Sequence, residues 1–240
     1  MSEALQLAKA LIERQSITPE DAGCQQLLAE RLAPLGFTAD WRVFGVVSNV
    51  VISHGKGKPA LWFLGHTDVV PSGPERLWHS PPFEPTEHEG MLVGRGACDM
   101  KGAVAAMVVA LERFVQDQPD HAGEVGIILT SDEEGDAIDG IRRAMPALAD
   151  DGRLPDFCLV GEPSSQQRLG DTLRVGRRGS IAATLTVAGG QGHTAFPHSI
   201  DNPVHRLAPF LSALAGKTWD DGVDEPSGSF PATSCQVSNL

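Results

Sequence analysis

Residues 61–68 read Leu-Trp-Phe-Leu-Gly-His66-Thr-Asp68. An apolar run ends in an imidazole and a carboxylate two positions apart. Similar endings recur further on. Asp99 follows Gly94-Arg-Gly-Ala-Cys, Glu133 and Glu134 follow Ile-Ile-Leu-Thr-Ser-Asp, and Glu162 follows Cys-Leu-Val-Gly. Each donor comes after a β-type run or a glycine-rich turn after one. Strand ends are where an open α/β sheet keeps its ligand site. Imidazole and carboxylate donors gathered there suit two divalent cations about 3.5–4 Å apart, which need a shared carboxylate and terminal ligands. His66 offers the imidazole, and Asp68 can orient it through the other ring nitrogen. Asp99 sits in a turn where glycines allow close approach. Glu133 and Glu134 are adjacent, so their side chains diverge. One can bind metal while the other acts as general base on a water molecule, whose pKa zinc would bring towards ~7. Each signal is ordinary alone, and the reading rests on their joint occurrence.

The elements that must position these residues read as an α/β domain. Residues 3–15 and 21–35 carry apolar residues at helical spacing, with Gly36 as a C-cap. Residues 37–53 alternate and read as two strands, and 60–65 as a buried one. Lys101 to Gln118 is apolar almost all round and reads as a buried helix. Val125–Thr130 is a strand, Ile138–Ala149 a helix and Asp156–Val160 a strand. This alternation predicts a mixed, largely parallel sheet flanked by helices. The pattern changes near Arg177. Ser180–Val187 alternates as a one-sided strand, a glycine-rich turn carries His193, a helix follows over roughly 201–215, and Thr233–Leu240 has strand chemistry. The expected domains are 1–177, catalytic, and 178–240, a partial α+β lid.

Other polar residues read as structural. Cys98 is expected to be a small buried residue, since no histidine is placed to activate it. His79, His88 and His121 fall in polar loops, and Trp62 and Phe63 read as core. Gly94-Arg-Gly-Ala is too short for a dinucleotide fingerprint.

The motifs Gly-His66-Thr-Asp68-Val-Val-Pro, Gly-Arg-Gly-Ala-Cys-Asp99-Met-Lys-Gly and Asp-Glu133-Glu134-Gly resemble those of the dizinc aminoacylase and carboxypeptidase family of amidohydrolases. The resemblance runs over the whole chain. It implies that His66 and Glu162 ligate one zinc, Glu134 the other, and that Asp99 bridges them, with a cis peptide after it. Glu133 would be the general base, and Asp68 would support His66. His193, in Gly-Gln-Gly-His-Thr-Ala, matches a lid histidine that reaches an active site across a homodimer and polarises the scissile carbonyl. Arg177 and Arg178 match a segment near substrate carboxylates, which a guanidinium fork suits. The resemblance also implies that cobalt can substitute for zinc. The narrower signals, Thr130-Ser-Asp-Glu-Glu-Gly-Asp-Ala, Val-Gly161-Glu162-Pro-Ser-Ser and Val175-Gly-Arg-Arg-Gly-Ser180, are most similar to members that cleave N-succinyl-LL-2,6-diaminopimelate in lysine and diaminopimelate biosynthesis. A related deacylase acting on acetylornithine, a metallodipeptidase, and a catalytically impaired metal-binding fragment are the alternatives. Family members continue further, so a last histidine ligand is expected beyond Leu240 and the chain reads as truncated.

Bulk properties agree. A formal charge of -12 argues against nucleic acid, which needs clustered Lys and Arg. The cysteines, Cys24, Cys98, Cys158 and Cys235, are dispersed, form no CxxC, and suggest a reducing, cytoplasmic setting. The amphipathic N-terminus lacks a signal-peptide core, and no run approaches the ~18 apolar residues of a membrane span.

Overall fold

Leu7, Ala8, Leu11 and Ile12 recur on one face of α1 (Glu3–Ile12) and are buried. In α2 (Cys24–Leu32) the buried side is Cys24, Gln25, Leu28 and Leu32. A 3-10 turn, Ala33–Leu35, ends on Gly36 in the left-handed region. The computed structural model describes residues 2–174, 179–225 and 228–237. They fall into two compact units, Met1–Pro163 and Ser164–Leu240.

The first unit is built on a five-stranded sheet. Its strands are β1 (Thr38–Phe44), β2 (Val47–Lys56), β3 (Ala60–His66), β6 (Gly123–Thr130) and β7 (Phe157–Val160). A small hairpin, β4 (Thr86–His88) and β5 (Met91–Val93), lies apart from it. The sheet order is β1-β2-β6-β3-β7. β2 runs antiparallel to both β1 and β6, whereas β3 is parallel to β6 and to β7. Four strands therefore share one direction, and the sheet is mixed. Helix α3 (Gly102–Asp117) and α4 (Ile141–Asp150) supply the rest of the two flanking layers.

Both faces of the central strands are apolar because both are covered. Val50, Ile52, Ile127 and Leu129 pack with α1, α2 and α3, while Val51, Trp62 and Ile128 pack with Ala144 and Leu148 of α4. Helix α3 buries Val104, Ala105, Met107, Val108, Val109, Leu111 and Val115. Its Glu112 is held by a two-pronged ion pair from Arg31 at 2.7 and 2.9 Å.

The second unit is plainer. Asp171 accepts hydrogen bonds from the amides of Gln166, Gln167 and Arg168. This closed turn lies at the start of the unit Ser164–Leu240. Helix α5 (Pro203–Ala215) is capped by Asn202, whose side chain accepts from the Val204 amide at 2.9 Å. β8 (Val223–Glu225) pairs with β9 (Gly228–Phe230). Ser180–Val187 forms no strand, and neither do residues 231–237. Alternation suits a pleated surface, but a lone run without a partner ladder has nothing to hold it.

Candidate metal centre

Register places the donors. Leu64 of β3 lies opposite Val160 of β7, so His66 and Glu162, each two residues further on, leave neighbouring strands at one level. His66 is also opposite Thr130 of β6, and Glu133 and Glu134 follow in the next turn. Gly65 and Gly161 precede two of these donors. A Cβ there would lie 2.9 Å from Met100 Cε and 2.9 Å from Met107 Cε respectively. A Cβ at Gly65 would also lie 3.1 Å from Val104 Cγ2, so glycine there eases the approach of α3 to the end of β3. The turn before α3, Ala97–Lys101, carries Asp99, and the Asp99-Met100 peptide bond is cis.

His66 is 1% exposed and Asp68 fully buried. The nearest partner of His66 Nδ1 is the backbone carbonyl of Asp68 at 2.9 Å, with Asp68 Oδ1 at 3.5 Å. Orientation of the ring thus comes from the main chain as well as the carboxylate. Nε2 faces Asp99 Oδ1 at 3.1 Å, Glu162 Oε1 at 3.6 Å and Glu133 Oε2 at 3.9 Å. Among the described residues, two groups have ligand atoms mutually within 4.8 Å: His66, Glu133 and Glu162, and His66, Asp99 and Glu134. A buried imidazole facing several carboxylates is the donor chemistry of a divalent cation site, and these side chains can hold a metal ion.

The electrostatics fit that reading. Burial disfavours a charged His66, but its hydrogen bonds to Asp68 and the facing carboxylates outweigh it and hold the imidazole up at about 9. Burial, joined by the charges of Asp99 and Glu133, pushes the Glu162 carboxyl up to about 7 against the pull of His66. Burial and then Asp99 push Glu134 up too. Asp68 goes the other way. Burial opposes its charge, but hydrogen bonds from His66 and the Glu134 amide keep it below the ordinary carboxylate range. A crowd of carboxylates that resists full ionisation is relieved by cations.

The Asp68 carboxylate accepts from the amides of Glu133, at 3.2 Å, and Glu134, at 3.1 Å. It therefore fixes the acid pair to the end of β3. Sequence reasoning missed Asp132. This buried carboxylate accepts from the amides of Ala137, Ile138 and Asp139, each at 3.0 Å, and closes the loop that bears the pair. The run Ser-Asp-Glu-Glu-Gly was a usable signal, because Asp readily ties up local backbone amides. Cys98 is exposed, not buried as its small apolar character suggested. His121 is half-buried and hydrogen-bonds His54 at 2.9 Å, whereas its loop position suggested a solvated ring. His193 lies in the second unit, exposed, its Nδ1 accepting from the Ala195 amide. Arg177 and Arg178 lie outside the described residues.

A family model, Peptidase family M20/M25/M40, matches residues 62–236. The chain belongs to this peptidase family. Within M20/M25/M40 it is 57% identical over 240 residues to the succinyl-diaminopimelate desuccinylase of Halorhodospira halophila, covering 100% of this chain and 62% of that protein. It is 56% identical over 240 residues to the succinyl-diaminopimelate desuccinylase of Xylella fastidiosa strain M12, covering 100% of this chain and 63% of that protein. The chain thus spans a little over three fifths of the length of these curated relatives. Among solved structures, the M20 family metallo-carboxypeptidase Sso-CP2 from Sulfolobus solfataricus matches with a TM-score of 0.63 at 20% identity. That match covers 90% of this chain and 50% of the other. At that identity the likeness is one of fold, a mixed sheet between helices.

Proposed function

We propose that this chain carries the metal-binding part of a zinc-dependent amidohydrolase that cleaves N-succinyl-LL-2,6-diaminopimelate to succinate and LL-2,6-diaminopimelate. The gathering of His66, Asp99, Glu133, Glu134 and Glu162 carries the hydrolytic reading. The names of relatives more than half identical over the whole chain support the substrate. His66 and Glu162 would hold one zinc, Glu134 the second, with Asp99 shared. Bound zinc, or cobalt in its place, supplies Lewis-acid polarisation of a carbonyl and acidifies water.

The chain's own residues do the rest. Glu133 takes a proton from the attacking water as the new C–O bond forms at the succinyl carbonyl. It returns that proton to the nitrogen as the C–N bond breaks, so the amine leaves neutral. Asp68 keeps His66 in one tautomer and keeps the Glu133 and Glu134 backbone in place. His193 and the arginines Arg177 and Arg178 belong to the lid in this reading. Arg177 and Arg178 meet substrate carboxylates, and His193 reaches a partner's active site in a homodimer formed through residues 178–240. No helix among the described residues is long and apolar enough to cross a membrane, and we place the enzyme in the cytoplasm.

The test is hydrolysis by the full-length protein. Chelation should abolish cleavage of N-succinyl-LL-2,6-diaminopimelate, and zinc or cobalt should restore it. The rate should exceed that on N-acetylornithine. Undiminished turnover in strictly metal-free protein would overturn the hydrolase reading, and faster acetylornithine cleavage would overturn the substrate assignment. The 240-residue chain alone should be strongly impaired.

A further inference from the structure

Residues 11–25 lie outside the donor set, yet they touch both turns that carry it. Thr67 sits between His66 and Asp68 and is 1% exposed. Its amide donates to the Thr130 carbonyl at 2.9 Å. Its carbonyl accepts from Ser16 Oγ at 2.6 Å, and its hydroxyl donates to Asp21 Oδ1, also at 2.6 Å. Gln25 Nε2 approaches the same hydroxyl at 3.4 Å while donating to the Ser48 carbonyl at 2.9 Å. Asp21 in turn accepts from the Gln25 amide in the first turn of α2. Just beyond Asp68, Val69 N donates to the Ser16 carbonyl at 2.8 Å, and Thr18 N to the Val69 carbonyl at 3.0 Å. The second turn is fastened to the same stretch. Lys101, two residues after Asp99, is fully buried, and its Nζ donates to the carbonyls of Leu11 and Arg14, each at 2.8 Å.

These bonds cost polar burial where apolar packing was available. Ser16, Gln25 and Lys101 are each 0% exposed, and a buried polar group is tolerated only when it is paired. A valine would fill the space of Thr67 without the hydroxyl. Hydrogen bonds of this kind fix one arrangement of the backbone rather than merely filling volume.

We propose that residues 11–25 are a brace that sets the spacing of the His66 and Asp99 turns, with the Thr67–Asp21 hydrogen bond as its link to His66 and Lys101 as its link to Asp99. Thr67, Asp21 and Lys101 are then positioning residues. The proposal rests on the reading of His66 and Asp99 as cation ligands. Groups behind metal ligands typically change affinity by about 10–100-fold when removed.

The experiment is calorimetric titration of zinc into the metal-free 240-residue chain and its variants, with thermal unfolding of each before metal is added. Thr67→Val and Asp21→Ala, which removes the acceptor, should each weaken zinc binding by about 10–100-fold in protein that still unfolds cooperatively. The double variant should bind no more weakly than the weaker single one, because both substitutions remove the Thr67–Asp21 bond. Thr67→Ser, which keeps the hydroxyl, should bind as the parent does. Should Thr67→Val fail to fold, Asp21→Ala decides. Parental zinc affinity in Asp21→Ala, with binding lost in His66→Ala, would overturn the brace and leave the site reading intact. Parental affinity in His66→Ala would overturn the site reading, and the brace with it.

Discussion

The two units of this chain use apolar residues differently. In the first, Leu11, Leu28, Val50, Ile52, Trp62, Ile127, Ile128 and Leu129 are all at most 1% exposed. In the second, no described residue is buried. Ile181 is 99% exposed and Phe210 50%, and α5 has no buried residue. The first unit closes its core from its own sequence, with helices on both faces of a sheet. The second has the right local chemistry, a capped helix and a hairpin, without a layer to cover it. Rigid placement of side chains requires that cover, and the four proposed ligands, His66, Asp99, Glu134 and Glu162, are in the first unit together with Glu133.

Consequences of that contrast can be ranked by size. If the chemistry is built in the first unit, Glu133→Gln should lower turnover of the full-length protein by ~10²–10⁴ while zinc content stays near normal. Glu134→Gln should lower zinc content instead. Steady-state kinetics with elemental analysis separates the two, and exchanged phenotypes would reverse the assignment of the pair. Next comes the core. Leu129→Ala removes a fully buried side chain and should cost ~2–5 kcal/mol in urea unfolding. Phe210→Ala, in the second unit, should change stability by less than about 0.5 kcal/mol. A large loss from Phe210→Ala would mean that the second unit holds a core of its own.

Removing an acceptor is a smaller insult than opening a cavity. Asp132→Ala strands three backbone amides and should cost about 1–3 kcal/mol, with a loss of zinc affinity because the loop carries Glu133 and Glu134. Unfolding and metal titration on one variant check both effects.

The smallest expected effect is a dependence on pH, and its sign follows from the two raised pKa values. His66 at about 9 is raised above its ordinary 6.5, and Glu162 at about 7 is raised above 4.5. The folded, metal-free protein therefore binds protons more tightly than the unfolded chain. The His66 contribution is complete below about 6.5 and is lost as pH rises through 9. That of Glu162 is complete below about 4.5 and is lost as pH rises through 7. The melting temperature of the metal-free chain should fall between pH 6 and 9. Zinc must displace those protons, so its stabilising increment should grow over the same range. A metal-free melting temperature that rises with pH would contradict the site electrostatics.

Much of the first unit was legible because its signals are local. Period-2 and period-3.6 patterns located β3, β6, β7, α1 and α3 to within a few residues, and His66, Glu133, Glu134 and Glu162 stand at or just after strand ends, with Asp99 in the turn before α3. The sheet also makes the offset from Leu64 to His66 equal to that from Val160 to Glu162, so strand ends translate into one site. What stayed illegible depends on partners distant in sequence. Thr67 and Asp21 are 46 residues apart, His54 and His121 are 67 apart, and nothing local in either marks the other. Ser180–Val187 failed for the opposite reason: its local pattern is strong, but a strand is made by its neighbours.

Zinc titration of the metal-free 240-residue chain, beside Asp99→Asn and His66→Ala, tests whether these strand ends form a cation site. The expected result is one tight zinc per chain, held by His66, Asp99 and Glu162, with a second that is weak or absent, and loss of the tight site in both variants. Two sites of equal tightness, or a tight site that survives both substitutions, would contradict this account of the centre.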